Sequence, residues 1–124
     1  MVKNILIVDD DSSVRYTVKN GIELYDNYKV TTVESGIKCL EILQENKIPD
    51  LILLDVMMPE MSGWKTFDKI KENEMWIDIP IIFLTARTDR VAKHAGGFLA
   101  EDYIEKPAKI PELKERIDKV LNKK

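Results

Sequence analysis

The sequence predicts an α/β domain built on one parallel sheet with helices on both faces, and three observations support that prediction. Five short apolar runs alternate along the 124 residues with segments whose apolar residues recur at helical spacing. Three of those runs, 4–8, 51–54 and 81–84, are apolar almost throughout, as strands buried on both sides are. Two of them stop on carboxylates: the first opens onto Asp9, Asp10 and Asp11, and the run 51–54 ends at Asp55. Open α/β sheets hold their ligands at that strand end.

The elements follow in order. Behind strand 4–8, Asp11 or Ser12 can cap a helix through Val14, Val18 and Ile22, with Leu24 and Tyr25 close behind. A second strand, 29–33, leads through Ser35 to Ile37, Leu40, Ile42 and Leu43. Cys39, beside Leu40, reads as a buried, inert thiol. After strand 51–54 and the turn Met57-Met58-Pro59, Ser62 precedes Trp64, Phe67 and Ile70, spaced as a core-facing helix. Met75-Trp76-Ile77 falls in a connection and is expected to pack beneath it. After strand 81–84, a helix over 88–100 carries Val91, Ala92, Ala95 and Phe98, and Gly96-Gly97 cuts it to about two turns. His94, the single histidine, lies there and receives no role. A weaker strand, 103–105, and a helix after Pro111 bearing Leu113, Ile117, Val120 and Leu121 complete the chain. A serine or aspartate before each helical run is expected to supply the N-cap oxygen.

Composition narrows the function. The chain is long enough for one core and too short for two, so residues 1–124 read as a single domain. A net charge of −3 argues against direct nucleic-acid binding and against an anionic membrane surface. One cysteine excludes an internal disulfide and a cysteine metal cluster. No signal-peptide pattern or membrane-length apolar stretch is present, so a cytoplasmic location is expected.

Right-handed crossovers place the C-terminal ends of all parallel strands on one edge. Asp9, Asp10, Asp55 and Thr85 converge there, with Lys106 just past the fifth strand. Like charges a few ångströms apart repel by roughly 4 kcal/mol at an effective dielectric near 20. Three carboxylates on one edge therefore call for a cation. Oxygen ligands without histidine or cysteine favour magnesium.

Four motifs in order resemble the receiver domain of two-component response regulators over essentially the whole chain. They are Ile5-Leu-Ile-Val-Asp-Asp-Asp11, Leu54-Asp-Val-Met-Met-Pro-Glu-Met-Ser-Gly63, Phe83-Leu-Thr-Ala86 and Asp102-Tyr-Ile-Glu-Lys-Pro107. Asp55 and Thr85 are spaced by 30 residues, Thr85 and Lys106 by 21. The resemblance implies a CheY-like (flavodoxin-like) doubly wound five-stranded sheet of order 2-1-3-4-5 with five helices. It implies Mg2+ held by Asp10, Asp55 and the backbone carbonyl of Met57, with Asp9 acting through water or from behind. It implies a phosphoryl group accepted on Asp55 from a histidine kinase or histidine phosphotransfer protein. Lys106, Thr85 and the Ala86 N–H would bind that group, and the Lys106–Pro107 peptide would be cis. Thr85 and Tyr103 would form the switch that reshapes the fourth helix, fifth strand and last helix for a downstream protein. The domain would be a monomer or a phosphorylation-dependent dimer, stand-alone or cut from a longer regulator. Its chemistry would be self-phosphorylation and slow hydrolysis rather than turnover.

The chain also departs from the pattern. Met57 and Arg87 stand where the family sets water access to the acyl phosphate, and here they are expected to lengthen its life. The stretch from Thr85 to Lys106 is about one residue short, Leu99-Ala100 replaces the usual Gly-Ala, and Ala108 replaces an aromatic. Three other functions compete. A haloacid dehalogenase-type phosphatase needs a second Asp where Met57 stands, and a flavin-binding flavodoxin needs a Ser/Thr/Gly-rich loop after the first strand. A non-phosphorylated scaffold receiver is disfavoured by the complete set of acceptor residues.

Overall fold

Each apolar run of the sequence forms a strand in the computed structural model, which describes residues 1–86 and 100–122. In chain order the elements are β1 (Lys3–Val8), α1 (Ser12–Ile22), β2 (Tyr28–Val33), α2 (Gly36–Gln44), β3 (Leu51–Asp55), α3 (Gly63–Lys71), β4 (Ile81–Thr85), β5 (Asp102–Glu105) and α4 (Ile110–Leu121). The helix expected over 88–100 lies outside the described residues apart from Ala100, and so do Arg87, His94 and Leu99.

The strands pair in parallel in the order β2-β1-β3-β4-β5, as expected. Successive side chains of a strand point to opposite faces, so each strand feeds two cores. Ile5, Ile7, Leu51, Leu53, Ile82 and Leu84 pack with Val18 and Ile22 of α1 and with Leu113 and Ile117 of α4. Leu6, Val8, Ile52, Leu54, Ile81 and Phe83 pack on the other face with Cys39 and Leu43 of α2 and Phe67 and Ile70 of α3. Each such side chain contributes about 1.5–3 kcal/mol when fully buried. Both faces are covered, which is why the central strands need no polar alternation.

Side chains fix where the first three helices begin. Asp11 accepts the Ser13 N–H at 2.9 Å, Ser35 the Lys38 N–H at 3.1 Å, and Ser62 the Lys65 N–H at 3.2 Å. The expected cap fails at α4, where Lys109 holds the N-cap position without a side-chain bond. Pro111 in the first turn has no N–H to satisfy and a backbone angle already suited to a helix.

Three apolar assignments also need correction. Helix α1 ends at Ile22, so Leu24 lies beyond it and is 82% exposed. In α2 the inward stripe is Gly36, Cys39 and Leu43, which leaves Ile37 on the outer side. Trp76 is buried beneath its connection, but Met75 and Ile77 beside it are exposed.

On each edge strand, charged side chains take up the outward main-chain groups of one residue. On β2 the Val30 N–H donates to Glu23 at 2.8 Å, and Lys19 donates to the Val30 carbonyl at 2.7 Å. On β5 the Tyr103 N–H donates to the Asp102 carboxylate at 2.8 Å, and Arg116 donates to the Tyr103 carbonyl at 3.2 Å.

Candidate functional site

Strand register places the acids. Val8 pairs with Leu54, so the next residue on each strand, Asp9 and Asp55, emerges side by side at the carboxyl edge. Asp55 in turn pairs with Leu84, which puts Thr85 one residue further along the adjacent strand. Asp9 is fully buried and Asp55 is 3% exposed, while Asp10 lies at the surface above them. One carboxylate oxygen from each of the three lies within 4.8 Å of the others.

Lys106 completes the cluster. Its Nζ sits 2.7 Å from Asp9 Oδ2 and 3.3 Å from Asp55 Oδ1. Its main-chain N–H donates to the Thr85 carbonyl at 2.7 Å, and the peptide to Pro107 is cis. One ammonium thus faces two buried carboxylates, and the balance is incomplete. Burial, followed by the charge of Asp9, raises the Asp55 carboxyl to about 6, and Lys106 offsets only part of this. Burial works to lower the Lys106 ammonium, but Asp9 and Asp55 outweigh it and hold it above its ordinary value. The fully buried Asp9 Oδ2 has the Lys106 ammonium as its close partner.

The donor set fits a hard divalent cation: three carboxylates with converging oxygens, and one ammonium that compensates only part of their charge. Asp9, Asp10 and Asp55 are the side chains able to hold it. Met57, whose backbone carbonyl is the third expected direct ligand beside Asp10 and Asp55, follows Asp55 by two residues and is 63% exposed.

The loop from β3 to α3 folds back under the site. The Gly63 N–H donates to the Val56 carbonyl at 2.8 Å, and a Cβ on Gly63 would lie 2.1 Å from the Asp55 carbonyl oxygen. Only glycine allows that approach. Within the loop Glu60 has φ 67°, and the Met61 N–H bonds to the Pro59 carbonyl at 2.7 Å, which makes a tight three-residue turn.

Thr85 is buried and shares a sheet face with Phe83 and Tyr103. The Tyr103 ring stacks on Phe83 at 5.4 Å, and Phe83 touches Trp64 and Phe67 at 4.5 and 5.3 Å. The Tyr103 hydroxyl is buried without a partner among the described residues. Arg116 of α4 grips the neighbouring Asp102 with two bonds, at 2.6 and 2.7 Å. Ala108 lines an apolar hollow of about 200 Å³ between Pro107 and Val14.

The sequence reading missed Arg15, whose Nη1 donates to the Asp9 carbonyl at 2.7 Å. Its position four residues after the cap Asp11, one turn into α1, was the available signal. Gly63 was quoted within a motif, but its close approach to Asp55 is a tertiary contact that the motif does not spell out.

Comparison with known proteins identifies the family and the fold. The family model for the response regulator receiver domain matches residues 5–118, and the chain belongs to that family. It is 38% identical over 119 residues to response regulator SaeR of Staphylococcus epidermidis, covering 95% of this chain and 50% of that protein. It is 37% identical over 118 residues to histidine kinase P4 of Formosa agariphila, covering 94% of this chain and 8% of that protein. Its fold matches the crystal structure of the Vibrio cholerae chemotaxis protein CheY4 with a TM-score of 0.88 and 27% identity, covering 97% and 99% of the two chains. The chain therefore spans half or less of the two curated relatives named. Among the described residues no helix is long and apolar enough to cross a membrane.

Proposed function

We propose that this receiver domain, one unit over residues 1–124, accepts a phosphoryl group on Asp55 with the help of Mg2+ and relays its arrival to a partner protein. The observation that carries the reading is the cluster of buried Asp9 and Asp55 with half-buried Lys106, with Asp10 at its mouth and more negative than positive charge. The donor is a phosphohistidine on a histidine kinase or phosphotransfer protein. An Asp55 oxygen attacks the phosphorus, the P–N bond breaks, and the imidazole leaves with its electron pair. A raised pKa of about 6 makes Asp55 more basic than an ordinary aspartate, yet still ionised at neutral pH.

Lys106 lies beside the attacking oxygen, so its ammonium needs only a small movement to meet a phosphoryl oxygen. Thr85 and the Ala86 N–H provide further donors from the end of β4. Asp10, Asp55 and the Met57 carbonyl would hold Mg2+, with Asp9 acting through water or from behind, and the ion would supply the positive charge the cluster lacks. Relay follows from the shared face of Thr85 and Tyr103. A group of charge near −2 draws Thr85 toward it, and the Tyr103 ring moves into the vacated space. Raising an active state from about 1% to 50% needs roughly 2.7 kcal/mol, within reach of the new charge-assisted bonds.

The test is incubation with a small-molecule phosphodonor and Mg2+, read by intact mass. Wild type should gain one phosphoryl group, and Asp55→Asn should gain none. A wild-type protein that stays unmodified, or an Asp55→Asn protein that is modified equally, would end the assignment.

A further inference from the structure

From the bond between the Arg15 guanidinium and the Asp9 carbonyl, we infer that Arg15 is a positioning residue for the cation-binding turn between β1 and α1. The inference rests on the magnesium reading above. Arg15 is half-buried, and its Nη1 donates to the Asp9 main-chain oxygen at 2.7 Å. Among the described residues it forms no ion pair, unlike Arg116, which grips a carboxylate.

The consequence is geometric. An oxygen held in place fixes the plane of the peptide joining Asp9 to Asp10, and with it ψ of Asp9. The direction of the Asp10 Cα–Cβ bond then depends on φ of Asp10, which the following peptide determines. The next peptide is held as well, because the Asp11 N–H donates to Asp9 Oδ1 at 2.9 Å. Upstream, the Asp9 N–H is tied to the Val33 carbonyl at 3.2 Å. Asp10 is the exposed member of the acid cluster, without the packing that immobilises Asp9 and Asp55. Its aim is set by these flanking peptides, and Arg15 holds one of them. The guanidinium does this from α1, whose start is itself fixed by Asp11, so helix and turn form one rigid unit. Groups behind metal ligands matter because they aim the ligands before the ion arrives. Their removal commonly weakens binding about 10–100-fold.

The test compares wild type, Arg15→Met and Arg15→Lys without any phosphodonor. Mg2+ affinity is measured by calorimetric titration, and hydrogen exchange at the Asp10 and Asp11 amides is followed in the metal-free proteins. Arg15→Met should bind Mg2+ about tenfold more weakly and exchange faster at those two amides, while its urea unfolding midpoint changes little. Arg15→Lys, which keeps a donor, should recover part of the affinity. Equal affinity in wild type and Arg15→Met would overturn the inference and leave the magnesium site standing. If wild type itself binds no Mg2+, the site reading falls, and the inference falls with it.

Discussion

Two clusters of opposite charge lie against the same sheet, and they treat their carboxylates in opposite ways. At the carboxyl edge one ammonium, Lys106, faces two buried acids, and Asp55 is left with a raised pKa. At the β5 edge one guanidinium, Arg116, meets the half-buried Asp102 through two bonds and reaches the more exposed Glu112 at 3.3 Å. There burial works to raise the Asp102 carboxyl, but the Arg116 and Tyr103 bonds outweigh it and hold it below its ordinary value. The first cluster buries both acids and stores repulsion that a ligand can relieve; the second leaves Glu112 to solvent and holds α4 against β5. One cation faces two acids in both places, so the burial and geometry of the charges, rather than their number, separate a site from a strut.

The largest expected break in this comparison comes from removing each cation. Lys106→Met leaves two buried carboxylates unpaired and should lower metal-free stability by about 3 kcal/mol at pH 7. Arg116→Met strips a partly exposed acid and should cost only about 1 kcal/mol. Urea unfolding checks both, and a larger loss at Arg116 would reverse the assignment of strut and site.

Removing the acids should give opposite signs. Asp55→Asn relieves repulsion and should raise metal-free stability by about 3 kcal/mol at pH 7, a figure set by its upward shift at about 1.4 kcal/mol per pKa unit. Asp102→Asn should lower it by about 1 kcal/mol.

The pH dependence sharpens the contrast. Asp55 is raised on folding, so the folded state binds its proton more tightly, and stability falls as pH rises from about 4 to about 6. Asp102 is lowered, so its contribution is present above the unfolded carboxyl pKa and is lost as pH falls through the folded one. The gap between Asp55→Asn and wild type should therefore widen toward neutral pH. A gap that stays constant from pH 4 to 7 would contradict the raised value.

The smallest effect is the response to the ion. Mg2+ at tenfold over its dissociation constant should stabilise wild type by about 1.4 kcal/mol. Asp102→Asn should keep that gain and Asp10→Asn should lose most of it.

The sequence made much of this visible for a physical reason. Strands buried on both faces must be apolar throughout, so runs such as 51–54 stand out, and the carboxylates that end them stand out equally. Ser35 and Ser62 announced their helices because an N-cap needs a side-chain oxygen. What stayed hidden depends on tertiary contact or on the exact end of an element. Leu24 looked like a continuation of α1 because spacing does not say where a helix stops. Lys109 broke the capping rule because Pro111 removes one of the donors a cap would serve. Trp76 and its neighbours sit in a connection without periodicity, so nothing local told the buried residue from the exposed pair. Arg15 resembles any helix-surface arginine until the fold brings the Asp9 carbonyl to it.

The occupied main-chain groups at the sheet edges have a further consequence. An open sheet ends in two strands whose outward main-chain groups can template a neighbouring molecule, the first step toward fibrils. Glu23 and Lys19 occupy those groups at Val30, and Asp102 and Arg116 do so at Tyr103. At those two positions a neighbouring strand would have to displace a charged side chain before it could pair, which raises the barrier to edge-to-edge stacking.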